Sequence, residues 1–275
     1  MKTIKYKVRI LLKSGFLMAA MLMIYSCATV PVTGRSQLSL ISNSEILPMS
    51  FSQYEQVMDS SKLSDDKEKV QMIKTVGNRI QLAVEEFMRE KGHSDELNGY
   101  EWEFNLIDAD VANAWCMPGG KVAFYTGILP ICKDETGVAV VMGHEVAHAI
   151  ANHGRERMSQ GLVQQMGGVA LSVALDEQPE QTQALFGQAY AIGSSVGVML
   201  PFSRLHESEA DKLGLYFMAL AGYDPNEAPK FWERMKAASG GQAPPEFLST
   251  HPSNETRIND LKAEIPKAME YYREQ

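Results

Sequence analysis

Residues 140–154, VVMGHEVAHAIANHG, set His144, Glu145 and His148 into an otherwise apolar run. Buried polar groups cost free energy unless they are paired, so a chain with three of them in five positions must assemble partners for them inside its core. On an α-helix, residues four apart sit one above the other. The two imidazoles therefore share a face about 6 Å apart, where two neutral nitrogens can hold one zinc ion. Glu145 is rotated about 100° from His144, placing its carboxylate as a general base beside the ion without ligating it. The HExxH spacing supplies two ligands and a base.

Asp134 and Glu135 read as the N-terminal cap of the helix that carries this motif, and Asn152, His153 and Gly154 stop it after about twenty residues. Zinc needs a third protein ligand. A metzincin would place Gly three and His six residues after the second histidine, but Ala151 and Gly154 stand there. His153 is rotated about 140° from His148 on a continuous helix, which turns it to the far side. The remaining candidates lie in RLHESEAD, residues 204–211. Glu207 and Asp211 are one helical turn apart, so the first can bind the metal while the second accepts a hydrogen bond from a ligating imidazole. Glu209 is expected to point to solvent, and His206 to neighbour the site without ligating.

Elsewhere the periodicities describe an α+β chain rich in helix. Val70, Ile73, Val76, Ile80, Val84 and Phe87 recur at helical spacing over 65–91. Three short strands are expected at 101–110, 111–117 and 121–125, with Pro118-Gly119-Gly120 turning between the last two, which predicts a small antiparallel sheet. The stretches 161–175 and 184–200 are apolar but interrupted by Gly, Ser or Gln, and read as helices around the site, not as membrane spans. Further helices are expected at 204–221, 226–238 and 255–263. His251 falls on a loop between the last two.

The first 26 residues are different. Lys2, Lys5, Lys7, Arg9 and Lys13 precede an apolar run of about twelve residues, too short to span a bilayer, which is the pattern of a secretory signal. Ile24-Tyr25-Ser26-Cys27 resembles a bacterial lipobox, with Cys27 as the lipidated residue. Ala28 rather than Asp follows, which implies sorting to the outer membrane, on its periplasmic face. The expected organisation is a signal peptide at 1–26, a tether at 27–50 and a catalytic domain at 51–275. Without the signal the basic residues fall from 26 to 21 against 34 acidic, a formal charge of −13, which would repel a nucleic acid. Cys116 and Cys132 are too few for a disulfide scaffold, and the sequence leaves open whether they pair.

Together HEVAH (144–148), ESEAD (207–211), NAWCMPGGKVAFYTGIL (113–129), STHPSNETRI (249–258) and VPVTGRSQLSL (30–40) resemble the HtpX-like and BepA-like zinc metallopeptidases, a group that includes the CAAX prenyl proteases and the Oma-type mitochondrial quality-control proteases. The resemblance implies a mostly helical, zincin-like (minigluzincin) domain with one zinc per chain. It implies His144, His148 and Glu207 as ligands, Asp211 behind them and Glu145 as the base. Residues Asn113, Ala114 and Trp115 would belong to an edge strand that binds substrate backbone by β-addition, which tolerates many side chains. The resemblance also implies that His251 plugs the metal's fourth position; the alternatives are that His251 donates to the oxyanion, a role for which Arg257 is also available, or makes a purely structural loop contact. The implied function is a stand-alone lipoprotein endopeptidase that removes unfolded or misassembled envelope proteins. A chaperone-like binder with a silent metal is the alternative, and the intact Glu145 argues against it. An exopeptidase would need a group that holds a chain terminus, and none is recognisable.

Overall fold

The computed structural model describes residues 27–176, 178–195, 199–238, 240, 245–252 and 255–273. The segment 1–26 read as a signal, the Cys27 side chain and Asn254 lie outside the described residues. The stretch read as a tether is built into the molecule. Strands β1 (Cys27–Thr29) and β2 (Ser36–Leu38) pair antiparallel, and helix α1 (Asn43–Ser60) follows behind a Ser42–Glu45 capping box. Helix α2 (Lys67–Glu90) is capped by Asp66, and the predicted apolar face is the buried one: Ile73, Val76, Ile80, Val84 and Phe87 are each at most 1% exposed.

Strands β3 (Glu103–Ile107), β4 (Ala114–Met117) and β5 (Lys121–Tyr125) form the sheet, in the order β3-β5-β4. It is mixed and not antiparallel, as the alternation alone suggested. After β3 the chain crosses to the far edge for β4, then turns back through Pro118–Gly120 into the centre, so β5 runs antiparallel to β4 and parallel to β3. The outer side of β3 is covered by Leu63, which bridges to Ile107. Among the described residues the outer side of β4 is open.

Helix α3 (Glu135–Ile150) carries the HExxH motif and starts where the sequence predicts, with the Asp134 side chain accepting from the Gly137 amide at 3.0 Å. Every residue from Gly137 to Ile150 is buried. Such a helix is apolar all round, so its polar residues stand out only by their spacing. It stops at Ile150, just before the Asn152-His153-Gly154 run that the sequence marks as its end. Asn152 takes a left-handed conformation (φ 59°), which asparagine tolerates, and the chain re-enters helix as α4 (His153–Leu175). Helices α5 (Glu180–Ser194), α6 (Leu200–Leu220), α7 (Glu227–Ala238) and α8 (Glu255–Ala268) complete the order, and no described helix is long and apolar enough to cross a membrane.

Helices α3 and α6 cross at glycines. A Cβ on Gly143 would stand 2.8 Å from the Gly214 carbonyl oxygen, and one on Gly214 would stand 2.9 Å from the His144 nitrogen. Only glycine permits that backbone approach. It places the 144–148 and 207–211 segments side by side. Cys116 and Cys132 are both free thiols.

Candidate metal centre and active site

His144 and His148 leave α3 on the face that meets α6, and Glu207 reaches them from α6. The two Nε2 atoms are 3.1 Å apart. Glu207 sets Oε2 3.4 Å from the His144 Nε2 and Oε1 3.3 Å from the His148 Nε2. His251 follows a single helical turn (Phe247–Thr250) and brings its Nδ1 to 3.1 Å from the His144 Nε2 and 3.0 Å from a Glu207 oxygen. All four residues offer a ligand atom within 4.8 Å of one another. Four donors held tetrahedrally at zinc–ligand distances would lie about 3.3 Å from each other. The spacing and the donor chemistry, imidazoles and one carboxylate, both fit that ion.

Each of the two motif histidines is held from behind. The Nδ1 of His144 lies 2.9 Å from Asp211 Oδ1, one helical turn beyond Glu207, as the spacing predicts. Asp211 in turn accepts two 2.7 Å hydrogen bonds from Arg257, whose guanidinium lies 3.4 Å above the Trp232 ring and whose Nη1 approaches Glu207 at 3.2 Å. Burial would raise the Asp211 carboxyl, but Arg257 and His144 outweigh it and hold it below the usual range. Glu207 is likewise held well below the carboxylate range, its burial outweighed by bonds from His144, His148 and His251.

Glu145 is not among the donors. It is 4% exposed, its Oε1 has no hydrogen-bond partner, and His251 Nε2 stands 3.4 Å away. Burial chiefly raises its pKa, the direction that suits a carboxylate that must accept a proton. A cleft of about 600 Å³ borders Glu207, Asp211 and Arg257.

Two sequence expectations are overturned. His153 is not on the far side, because the break at Asn152 swings it back until its Nδ1 is 2.8 Å from the Nδ1 of His148. It stays outside the ligand group, on the opposite side of the His148 ring. Glu209 does not face solvent. It is 8% exposed and bonded to His153 Nε2 at 3.0 Å, to Arg35 Nε at 2.8 Å and to the Thr33 hydroxyl. His206 neighbours the site as expected, stacked on His153 at 4.2 Å with its Nε2 2.9 Å from Glu156.

Ala114 and Trp115 lie on β4, while Asn113 just precedes it and caps the strand through its side chain to the Ala114 amide. Asn113 Nδ2 also donates to Glu246, and the Phe247 amide donates to the Ala112 carbonyl, so the segment that carries His251 is fastened beside the start of the edge strand. Trp232, Phe247, Arg35 and Glu156 were not foreseen. Only Arg35 sat in a segment already singled out, VPVTGRSQLSL.

A helix-borne HExxH motif meeting a Glu–x–x–x–Asp turn from a second helix defines the class as an HExxH metallopeptidase architecture. The sequence comparisons agree. Residues 74–265 match Peptidase family M48, and the chain belongs to that family, whose members are zinc-dependent metallopeptidases. It is 39% identical over 175 residues to the mitochondrial metalloendopeptidase OMA1 of Schizosaccharomyces pombe, covering 63% of this chain and 49% of that protein. It is 33% identical over 246 residues to the mitochondrial metalloendopeptidase OMA1 of Bos taurus, covering 87% and 46%. With the beta-barrel assembly-enhancing protease of Escherichia coli it shares 27% identity over 248 residues, covering 86% and 47%. The chain thus spans about half the length of these relatives.

Proposed function

We propose that this protein is a zinc-dependent endopeptidase of the bacterial cell envelope that removes unfolded or misassembled proteins. The observation that carries the reading is the division of labour around His144: four residues offer ligand atoms within 4.8 Å of one another, while the neighbouring Glu145 stays buried, outside that group and with an oxygen that has no hydrogen-bond partner. A binding protein would have no use for that carboxylate.

His144, His148 and Glu207 would hold the ion. When bound, zinc supplies a Lewis acid that polarises a peptide carbonyl and makes water at the site acidic. Glu145 takes up the proton that the attack releases and returns it to the leaving amine, a transfer favoured by its raised pKa. Arg257 is committed to Asp211 and Glu207, so it acts by positioning them and not as an oxyanion donor. The open edge of β4 offers main-chain groups to an extended peptide, and weak side-chain preference follows. His251 acts as a plug: it stands where a fourth ligand would, and its segment is tied to the start of the strand that an incoming substrate would join.

The envelope assignment is supported by the lipobox-like segment ending at Cys27 and by similarity to an E. coli protease named for β-barrel assembly. The OMA1 relatives are named as mitochondrial, so the shared chemistry alone does not carry the location. Flotation of wild type with outer membranes, against Cys27→Ser, tests the anchor, and identical fractionation would reject it. For the activity itself, cleavage of casein should stop on chelation and return on adding zinc. Cleavage that persists through full metal removal would reject the reading.

A further inference from the structure

The segment VPVTGRS carries two side chains that reach the interior. Gly34, in the left-handed region (φ 68°), lets the chain turn so that the Gly34 amide donates to the Val30 carbonyl and the Val30 amide to the Arg35 carbonyl. From that turn the Thr33 hydroxyl donates to Glu209 Oε1. Arg35 forks, with its Nε 2.8 Å from Glu209 Oε2 and its Nη1 and Nη2 at 3.1 and 2.7 Å from the two oxygens of Glu156. Glu209 then meets His153 at 3.0 Å, and His153 meets His148 at 2.8 Å.

Proton counting along this chain leaves one arrangement. A neutral imidazole has one N–H and one lone pair. If His148 Nε2 gives its lone pair to the metal, its proton is on Nδ1 and must be donated to His153 Nδ1. That nitrogen then has to be an acceptor, so the proton of His153 is on Nε2 and is donated to Glu209. Glu209 accepts from three donors, Thr33 on Oε1 and both Arg35 and His153 on Oε2, an arrangement that suits a carboxylate. Arg35 also compensates the second buried carboxylate, Glu156. Outer partners of this kind fix the tautomer and orientation of a ligating histidine and raise its basicity.

We propose that Arg35 and Thr33, on the β1–β2 turn, position the metal ligand His148 through Glu209 and His153, so that the N-terminal hairpin is a working part of the metal centre. His144 is served by a separate and short-range arrangement, Asp211 with Arg257. The two histidines of one motif thus answer to opposite ends of the chain. The inference rests on the zinc reading above.

The test is zinc affinity by chelator competition, with ¹⁵N-histidine NMR of the zinc-loaded wild-type protein. In the wild type, His148 should carry its proton on Nδ1 and His153 on Nε2. His153→Phe keeps a ring against His206 but ends the relay, and should weaken zinc binding roughly ten- to hundredfold. Arg35→Ala should weaken it in the same direction, with partial recovery in Arg35→Lys, which keeps the charge but not the fork. His153→Gln should recover part of the loss, since its amide oxygen can still accept from His148. Affinities within twofold of wild type in folded His153→Phe and Arg35→Ala would overturn the proposal, as would the opposite tautomers in the wild type, which require no variant to fold. Failure of wild type to bind zinc at all would instead overturn the metal reading, and the relay with it.

Discussion

At the scale of single residues, the centre separates groups that hold the metal from groups that act beside it. His251 is the informative case because its two readings have opposite signs. Its Nδ1 lies 3.1 Å from the His144 Nε2 and its Nε2 3.4 Å from Glu145, so under the proposed plug role it would have to leave before a substrate carbonyl could enter. Turnover of an unstructured substrate by zinc-loaded His251→Ala should therefore rise several-fold. A fall of roughly a hundredfold would mark an oxyanion donor instead. The proposed ligands His144, His148 and Glu207, with Asp211, could be singled out in the sequence because each pair lies within one helix, where a spacing of four fixes a shared face. His153 and Glu209 were misread for the complementary reason. The position of His153 on the helical wheel was computed as if the helix ran on through Asn152, the residue that ends it, and the partner of Glu209 is Arg35, 174 residues away in the chain.

At the scale of elements, the site depends on two helices approaching more closely than side chains allow. Gly143 and Gly214 each face backbone atoms of the opposite helix, and neither backbone can yield as a flexible side chain could. Gly214→Ala should push α6 away from α3, costing about 1–3 kcal/mol of stability and loosening the Glu207 and Asp211 contacts with the two histidines. Zinc titration and thermal unfolding check this, and wild-type values for both would show that the crossing is not required. The helices themselves were well marked by period and cap, Asp134 and the buried face of α2 above all. The mixed sheet was not, because alternation marks which segments are strands and says nothing about which neighbour each one takes. The hairpin and α1 were read only as a tether, because strands of three residues are too short to show an alternation and Pro48 sits inside the first turns of α1.

At the scale of the whole molecule, the cluster that joins the N-terminal hairpin to the α3–α4 junction makes stability depend on pH. Burial chiefly pushes the His153 pKa down to about 4, from an ordinary value near 6.5. Burial would raise the Glu209 carboxyl, but bonds from His153, Thr33 and Arg35 outweigh it and lower its pKa to about 2. Both folded values are depressed, so the unfolded chain binds more protons in acid. The stability they confer is complete above about pH 6.5 and is lost as pH falls toward 4 for His153, and between about 4.5 and 2 for Glu209. His153 alone should cost about 2 kcal/mol between pH 7 and pH 5. Denaturant unfolding in the presence of chelator, with wild type and His153→Phe compared at both pH values, should give a shallower dependence in the variant. Equal slopes would mean that His153 is not held neutral.

The central claim is that one ion and one carboxylate divide the chemistry between them, and Glu145→Gln tests it most directly. The substitution keeps size and polarity, leaves His144, His148 and Glu207 in place, and removes only the group that accepts a proton. The measurement is zinc content and casein turnover on the same preparation. The account requires close to one zinc per chain, as in wild type, with hydrolysis reduced at least a hundredfold. Full zinc occupancy with hydrolysis at the wild-type rate would contradict it.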